Sequence, residues 1–320
     1  MRHQHLLKTA AMTAIALAIT YSVSLSQIDW QKGEGIDGWI VQSIASSPSG
    51  ILFAGTFGGG VYRSPDNGKT WRSANSGLED LSVFSVVADS AGVVFAGTFG
   101  SGVYRSQDDG SSWTATPGEM SNREVLALAI TPEGGLLAGT AYGGLFSSPD
   151  KGDTWEMLGL EGAFARTITA GEGGKIFVGS PVGVFHSPNG GRTWQRLNAG
   201  LRNVDVWSVA SDFNGNIFAA TNGGGVFRLS DGGNIWVPLN TGLTSLNAGS
   251  IAINVAGDVF AGTTRGVFRL GSSGTMWIDV CGGLPECSVQ SIALGMDGRV
   301  IIGTSGKGIY RSTQPAISMR

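Results

Sequence analysis

The 320-residue chain carries 21 Lys and Arg against 24 Asp and Glu, with only 3 His and 2 Cys but 52 Gly. A net charge of -3 with 14% charged residues excludes the basic footprint of a nucleic-acid or anionic-lipid binder. So few histidines leave almost no material for Ser-His-Asp or Cys-His catalysis or for a histidine-based metal site, and no catalytic residue, metal ligand or cofactor site is assigned.

Residues 1–26 open with Arg2, His3, His5 and Lys8, run through an apolar stretch from Ala10 to Leu25 and end in Ser24-Leu25-Ser26. This pattern predicts a signal peptide cleaved before Gln27, and hence a secreted or periplasmic protein. An uncleaved membrane anchor is the competing reading. It is disfavoured because the run is short, is interrupted by Thr13 and Thr20, and leaves only three residues before Trp30. No later segment is apolar enough to span a bilayer, so no membrane insertion is expected after cleavage.

From Trp30 onward one unit repeats. Trp30, Trp71, Trp113, Trp155, Trp194, Trp236 and Trp277 are spaced by 39 to 42 residues. Each unit holds two runs rich in Val, Ile, Phe and Tyr, as in ILFAGTFGGGVYRS and VVFAGTFGSGVYRS, separated by a glycine loop and in most units by a Gly-Thr step. Such runs suit strands buried on both faces, and four short strands per unit at this period predict an all-β, seven-bladed β-propeller with four-stranded antiparallel blades. The last unit stops after three strands, while Ile28-Asp29-Trp30 matches a fourth strand. The N-terminal strand is therefore expected to complete the last blade and close the ring, so that residues 27–320 form one domain.

Between the third and fourth strands stand SPDNGKTW, SQDDGSSW, SPDKGDTW and SPNGGRTW, ending at Trp71, Trp113, Trp155 and Trp194. Asp66, Asp108, Asp150, Asn189 and Asp231 read as turn-formers whose side chains accept the turn's own N–H groups. Calcium binding or catalysis is the alternative, but five copies of a catalytic acid around a ring make little sense. The sixth copy, with Ser272 in the Asp position, is degenerate.

These segments resemble the Asp-box, or BNR, repeat of sialidases, sortilin-type receptor domains, xyloglucan-degrading glycosidases and the photosystem II assembly and stability factors. The resemblance covers the chain from Gln27 onward and implies the propeller fold. For function it leaves two classes open: a non-enzymatic binding or assembly module, and a carbohydrate-active lectin or glycoside hydrolase. The sialidase Arg-Ile-Pro segment is absent, and Tyr62, Tyr104 and Tyr310 fall at a repeated third-strand position expected in the core. The single propeller also lacks the second one that xyloglucan-degrading relatives use to form a cleft. A protein partner is therefore preferred and carbohydrate is kept as the alternative.

His186 reads as a strand residue at the position held by Arg63, Arg105, Arg228, Arg269 and Arg311 elsewhere. Cys281 and Cys287, in IDVCGGLPECSV, are expected to form a local disulfide in an oxidising compartment. At the start of the innermost strand one column varies (Gln42, Phe84, Leu126, Arg166, Trp207, Gly249, Gln290), whereas the next residue is always Ser, Thr or Ala. The varied column reads as a surface and its small neighbour as packing. With the loops after the Gly-Thr step, it is expected to gather Phe57, Phe84, Phe99, Tyr142, Arg166, Trp207 and Arg265 at one mouth as a partner-binding surface.

Overall fold

The computed structural model describes residues 28–118, 120, 122–270, 274–285 and 288–316. The signal-peptide reading, Cys287 and Ser272 lie outside these residues. The described strands form seven four-stranded antiparallel sheets. Blade 1 is Val41–Ser46, Leu52–Thr56, Gly60–Ser64 and Arg72–Ser73, and each later blade repeats this order. Blade 7 takes its outer strand from the other end of the chain. Trp30–Lys32 pairs with Ile309–Ser312, setting Trp30 opposite Ser312 and Lys32 opposite Tyr310. The innermost strands stand side by side around the axis, with Val41–Ser46 flanked by Val83–Ala88 and Val289–Leu294.

The second strands carry the repeated apolar run. In Leu52–Thr56, Val94–Thr98 and Val259–Thr263 every residue is buried, as a strand covered on both faces requires. The cores lie between blades: Phe53 and Val61 of blade 1 pack with Val83, Val86, Tyr104 and Trp113 of blade 2. The glycine of the Gly-Thr step is fixed by this contact. A Cβ on Gly55 would stand 2.8 Å from Val83 Cγ1, and one on Gly303 2.5 Å from Val41 Cγ1. Blade 5 has Ala220 instead, and the next blade answers with Ala248 in place of valine, both in one cluster. The following hydroxyl spans the glycine loop. Thr56, Thr140 and Thr304 donate to the carbonyls of Gly60, Gly144 and Gly308 at 2.7 to 2.9 Å.

Tryptophans join neighbouring blades. The indole N–H of Trp113 donates to Ala74 O at 2.7 Å, Trp236 to Leu197 O at 2.8 Å, Trp277 to Leu239 O at 2.7 Å and Trp30 to Val280 O at 2.8 Å. Each acceptor follows the outer strand of the preceding blade. Trp71 turns to Gly68 O of its own hairpin, and the Trp155 indole N–H has no hydrogen-bond partner among the described residues.

The hairpins ahead of the tryptophans are held by their side chains. Asp108 Oδ1 accepts from Ser106 Oγ and Ser112 N, and its Oδ2 from Ser112 Oγ at 2.6 Å. Ser106 Oγ in turn accepts from Gly110 N, with Asp109 and Gly110 both at positive φ. Asp66, Asp150 and Asn189 repeat the arrangement. The Ser112 hydroxyl and N–H and the Ser106 hydroxyl hold Asp108 at a pKa of about 2; Thr154 and Ser148 do the same for Asp150. Asp231 departs from its sequence reading as a turn-former. Its hairpin has Leu229 and Ile235 where blades 1 to 4 have Ser and then Thr or Ser, and its carboxylate instead accepts from Lys175 Nζ of blade 4 at 2.8 Å.

Two of the third-strand arginines reach sideways, whereas Arg269 pairs with Asp258 and Arg311 bonds Gln31 within their own blades. Arg63 donates to Ser111 Oγ at 3.0 Å, and Arg105 donates to Lys151 O and pairs with Asp153, each in the hairpin of the following blade. His186 stacks on Phe177 at 4.3 Å, and burial, with Lys175 nearby, holds its pKa below the ordinary imidazole value.

Candidate functional site: the propeller mouth

The loops between second and third strands and the blade-to-blade connections gather at one end of the ring. There each innermost strand of blades 1, 2, 3, 5, 6 and 7 breaks register once, between Val41 and Ser43 in blade 1 and between Val206 and Ser208 in blade 5. The skipped residue is the varied column: Gln42, Phe84, Leu126, Trp207, Gly249 or Gln290. A bulged residue has no cross-strand partner and is re-aimed, here toward the axis. In blade 4 the column residue is Arg166, just ahead of Thr167–Gly171. All seven column residues line one axial cavity of about 520 Å³.

The small residue after the bulge is more than packing. Ser43 Oγ accepts from Val86 N at 3.1 Å, Ser85 Oγ from Leu128 N at 3.0 Å, and Thr167 Oγ1 and Ser208 Oγ from Val209 N and Ile251 N at 3.2 Å. Ser291 Oγ donates to Val41 O at 2.9 Å. This inter-blade girdle holds the column in place.

Two aromatic walls rise around the cavity. On one side Phe84 meets Phe57 edge-on with centroids 5.9 Å apart and Phe99 at 5.1 Å. On the other, Tyr142 meets Phe164 at 5.3 Å, and the Arg166 guanidinium stands 5.5 Å from the Phe164 centroid and 4.6 Å from that of Trp207. Cation–π contact of this kind contributes about 0.5–1 kcal/mol at exposed sites. Arg166 also pairs with Asp205 at 2.7 Å. Burial pushes the Asp205 pKa up, but hydrogen bonds from Arg166, Trp207 Nε1 and Asn222 outweigh it and hold the carboxyl below its ordinary value. Arg166 and Asp205 thus neutralise each other, and the cavity lining otherwise holds no charged side chain.

Six of the seven residues chosen from sequence meet in these walls. Arg265 does not; it is exposed and outside the cavity. Tyr142 sits one position later than its alignment with Phe57 implies. Ala141 and Asn222 share the bridging position of Phe57, while Tyr142 holds the place of Gly58 and Gly223 and adopts their positive φ, at 64°. Phe164 and Asp205 were not singled out from sequence. Both lie two residues before the varied column, where Ile40, Ser82, Glu124, Asn247 and Ser288 vary equally, and that second column was the available signal. Cys281 Sγ accepts the Val267 N–H at 3.0 Å, the role Asn75 and Asn240 play in blades 1 and 5; the bridge expected to Cys287 falls outside the described residues.

Among the described residues no cluster of His, Cys, Asp and Glu is arranged to hold a metal ion, and no helix is long and apolar enough to cross a membrane. The mouth offers flat apolar faces, one internally paired charge and several amides and hydroxyls. Such a surface binds by stacking and hydrogen bonding.

The chain is a seven-bladed β-propeller, and known structures share its fold. A structure of YCF48 bound to D1 peptide superposes with a TM-score of 0.74 at 14% identity, over 92% of this chain and 97% of that one. YCF48 from Cyanidioschyzon merolae gives 0.67 at 17%, over 89% and 98%. An ancestral GH74 enzyme gives 0.71 at 18%, over 88% of this chain but only 46% of its own length. No protein-family model matches the chain, and no curated protein sequence does.

Proposed function

We propose that this protein is an exported, non-enzymatic Asp-box propeller that engages a protein partner through the mouth lined by Phe57, Phe84, Phe99, Tyr142, Arg166 and Trp207. The observation that carries the reading is the irregularity of this belt within a regular ring. A lectin repeating its site once per blade would repeat its contact residues; here aromatics cluster on blades 1 to 5 and glutamines on blades 7 and 1. The YCF48 structure with its peptide supports a protein ligand for a propeller of this size. Most glycoside hydrolases use two carboxylates flanking the bond, with a tyrosine nucleophile in sialidases as an exception. The cavity lining has none, and the nearby Asp205 is held by Arg166.

The test is affinity capture from envelope and medium extracts of the producing cell, with a glycan array in parallel. A single protein captured by the parent chain and lost with Phe57→Ala/Trp207→Ala is the expected result. Saturable glycan binding with no protein captured would replace the reading with the carbohydrate one. N-terminal sequencing of the exported chain should give Gln27 as the first residue, and an intact Met1 terminus would refute export by cleavage.

A further inference from the structure

Beside the axial cavity lies a second, smaller one of about 110 Å³, lined by Trp207, Asn222, Asn247, Gly249, Ser288 and Gln290, among others. The two share Trp207, Gly249 and Gln290. Gly249 is the only column position without a side chain, so it forms a low saddle between them. The glycine is not required by the backbone: its φ is ordinary, and an added Cβ would meet only Val289 O, at 3.4 Å. The gap therefore marks space rather than a turn.

The groups around the saddle are neutral and incompletely used. The Asn247 side chain is exposed and has no hydrogen-bond partner among the described residues. Gln290 spends its Nε2 on Ser288 and Ser305, leaving its carbonyl oxygen to accept; Asn222 spends its Nδ2 on Asp205, likewise. Ser250, next along the strand, is 8% exposed; its hydroxyl is enclosed beside Gly262 and has no hydrogen-bond partner among the described residues, although its counterparts in five other blades are bonded to the next blade. Beyond it the cavity is walled by Phe84, Phe99 and Leu126.

Resting on the reading of the mouth as a protein-binding surface, we propose that Gly249 is the crossing point for an extended, uncharged segment of the partner polypeptide. Its peptide groups pair with the Asn247 and Gln290 amides over the saddle, and one bulky apolar side chain drops into the axial cavity. A peptide group carries one donor and one acceptor, which the donor of Asn247 and the acceptor of Gln290 complement. The paired Arg166 and Asp205 offer no net charge to select an ionic ligand.

A phage-displayed library of random dodecapeptides panned on the full chain, followed by titration of the selected peptides, tests this. Gly249→Gln fills the saddle with the side chain blades 1 and 7 already carry; Asn247→Ala removes an amide that supports nothing in the fold. Peptides carrying an aromatic or branched apolar residue, weakened at least tenfold by both variants at unchanged Tm, are expected. Binding abolished by Trp207→Ala but unchanged in Gly249→Gln and Asn247→Ala would overturn the saddle and leave the mouth. Binding unchanged in all three variants, or no peptide selected at all, would overturn both.

Discussion

Two residues show how the repeat is made and where it is broken. Gly55 is glycine because Val83 and Val86 of the next blade occupy its Cβ position, while Ala220 coexists with Ala248. Gly55→Ala should therefore cost about 1–3 kcal/mol as overpacking. Combined with Val83→Ala it should cost less than the two separate losses added together, as read from denaturant unfolding of the four-member cycle. Strict additivity would contradict the contact. Tyr142 is the opposite case: a bulky residue in the left-handed region where other blades place glycine, and 67% exposed. Such a backbone costs a residue with a Cβ about 1–2 kcal/mol that a glycine would not carry. Tyr142→Gly should leave Tm unchanged or higher and weaken partner binding. The identity of these residues was legible in the sequence, and so was their level: Phe57 stands one residue after Thr56 but Tyr142 two after Thr140, and taking the two as level overlooked that one residue of register.

At the scale of the element, the hairpins are held by carboxylates that must be ionised. Asp108 and Asp150 have folded pKa values of about 2 against 3.8 ordinarily, so between these limits the unfolded chain binds more protons. Stability from these groups is full above pH 4 and is lost as the pH falls through 3.8 toward 2. The hairpin of blade 4, with Asn189, is neutral and serves as an internal control. Hydrogen exchange should show the hairpins of blades 2 and 3 loosening between pH 4 and 2 while that of blade 4 holds; equal loosening in all three would contradict the account. The Ser-x-Asp-x-Gly-x-x-Trp pattern was readable because every partner lies within four residues. Asp231 lacks the local hydroxyl partners, since Leu229 and Ile235 replace them, which the sequence shows; its contact with Lys175, 56 residues away on another blade, the sequence does not show. Arginine directions were illegible for the same reason, since Arg63 and Arg105 bond across the blade interface.

At the scale of the molecule, the tryptophan period and the missing last strand announced a closed ring, and Trp30–Lys32 on Ile309–Ser312 closes it. Trp30→Ala removes both an indole packed in the last core and its bond to Val280 O. It should lower Tm by on the order of 10 °C, taking a loss of about 3 kcal/mol at 2–4 °C per kcal/mol for a chain this long. An unchanged Tm would show that the ring does not depend on this strand. The mouth was legible as a varied column but not as a pair of walls, because bulges, which aim that column at the axis, have no local signature. The most direct test of the mouth as the binding surface places a photo-crosslinking phenylalanine analogue at Phe57 or, on the opposite face, at Phe213, which is 79% exposed. Irradiation in the producing cell should yield one discrete protein adduct from position 57 and none from 213. An adduct from 213 with none from 57 would contradict the account.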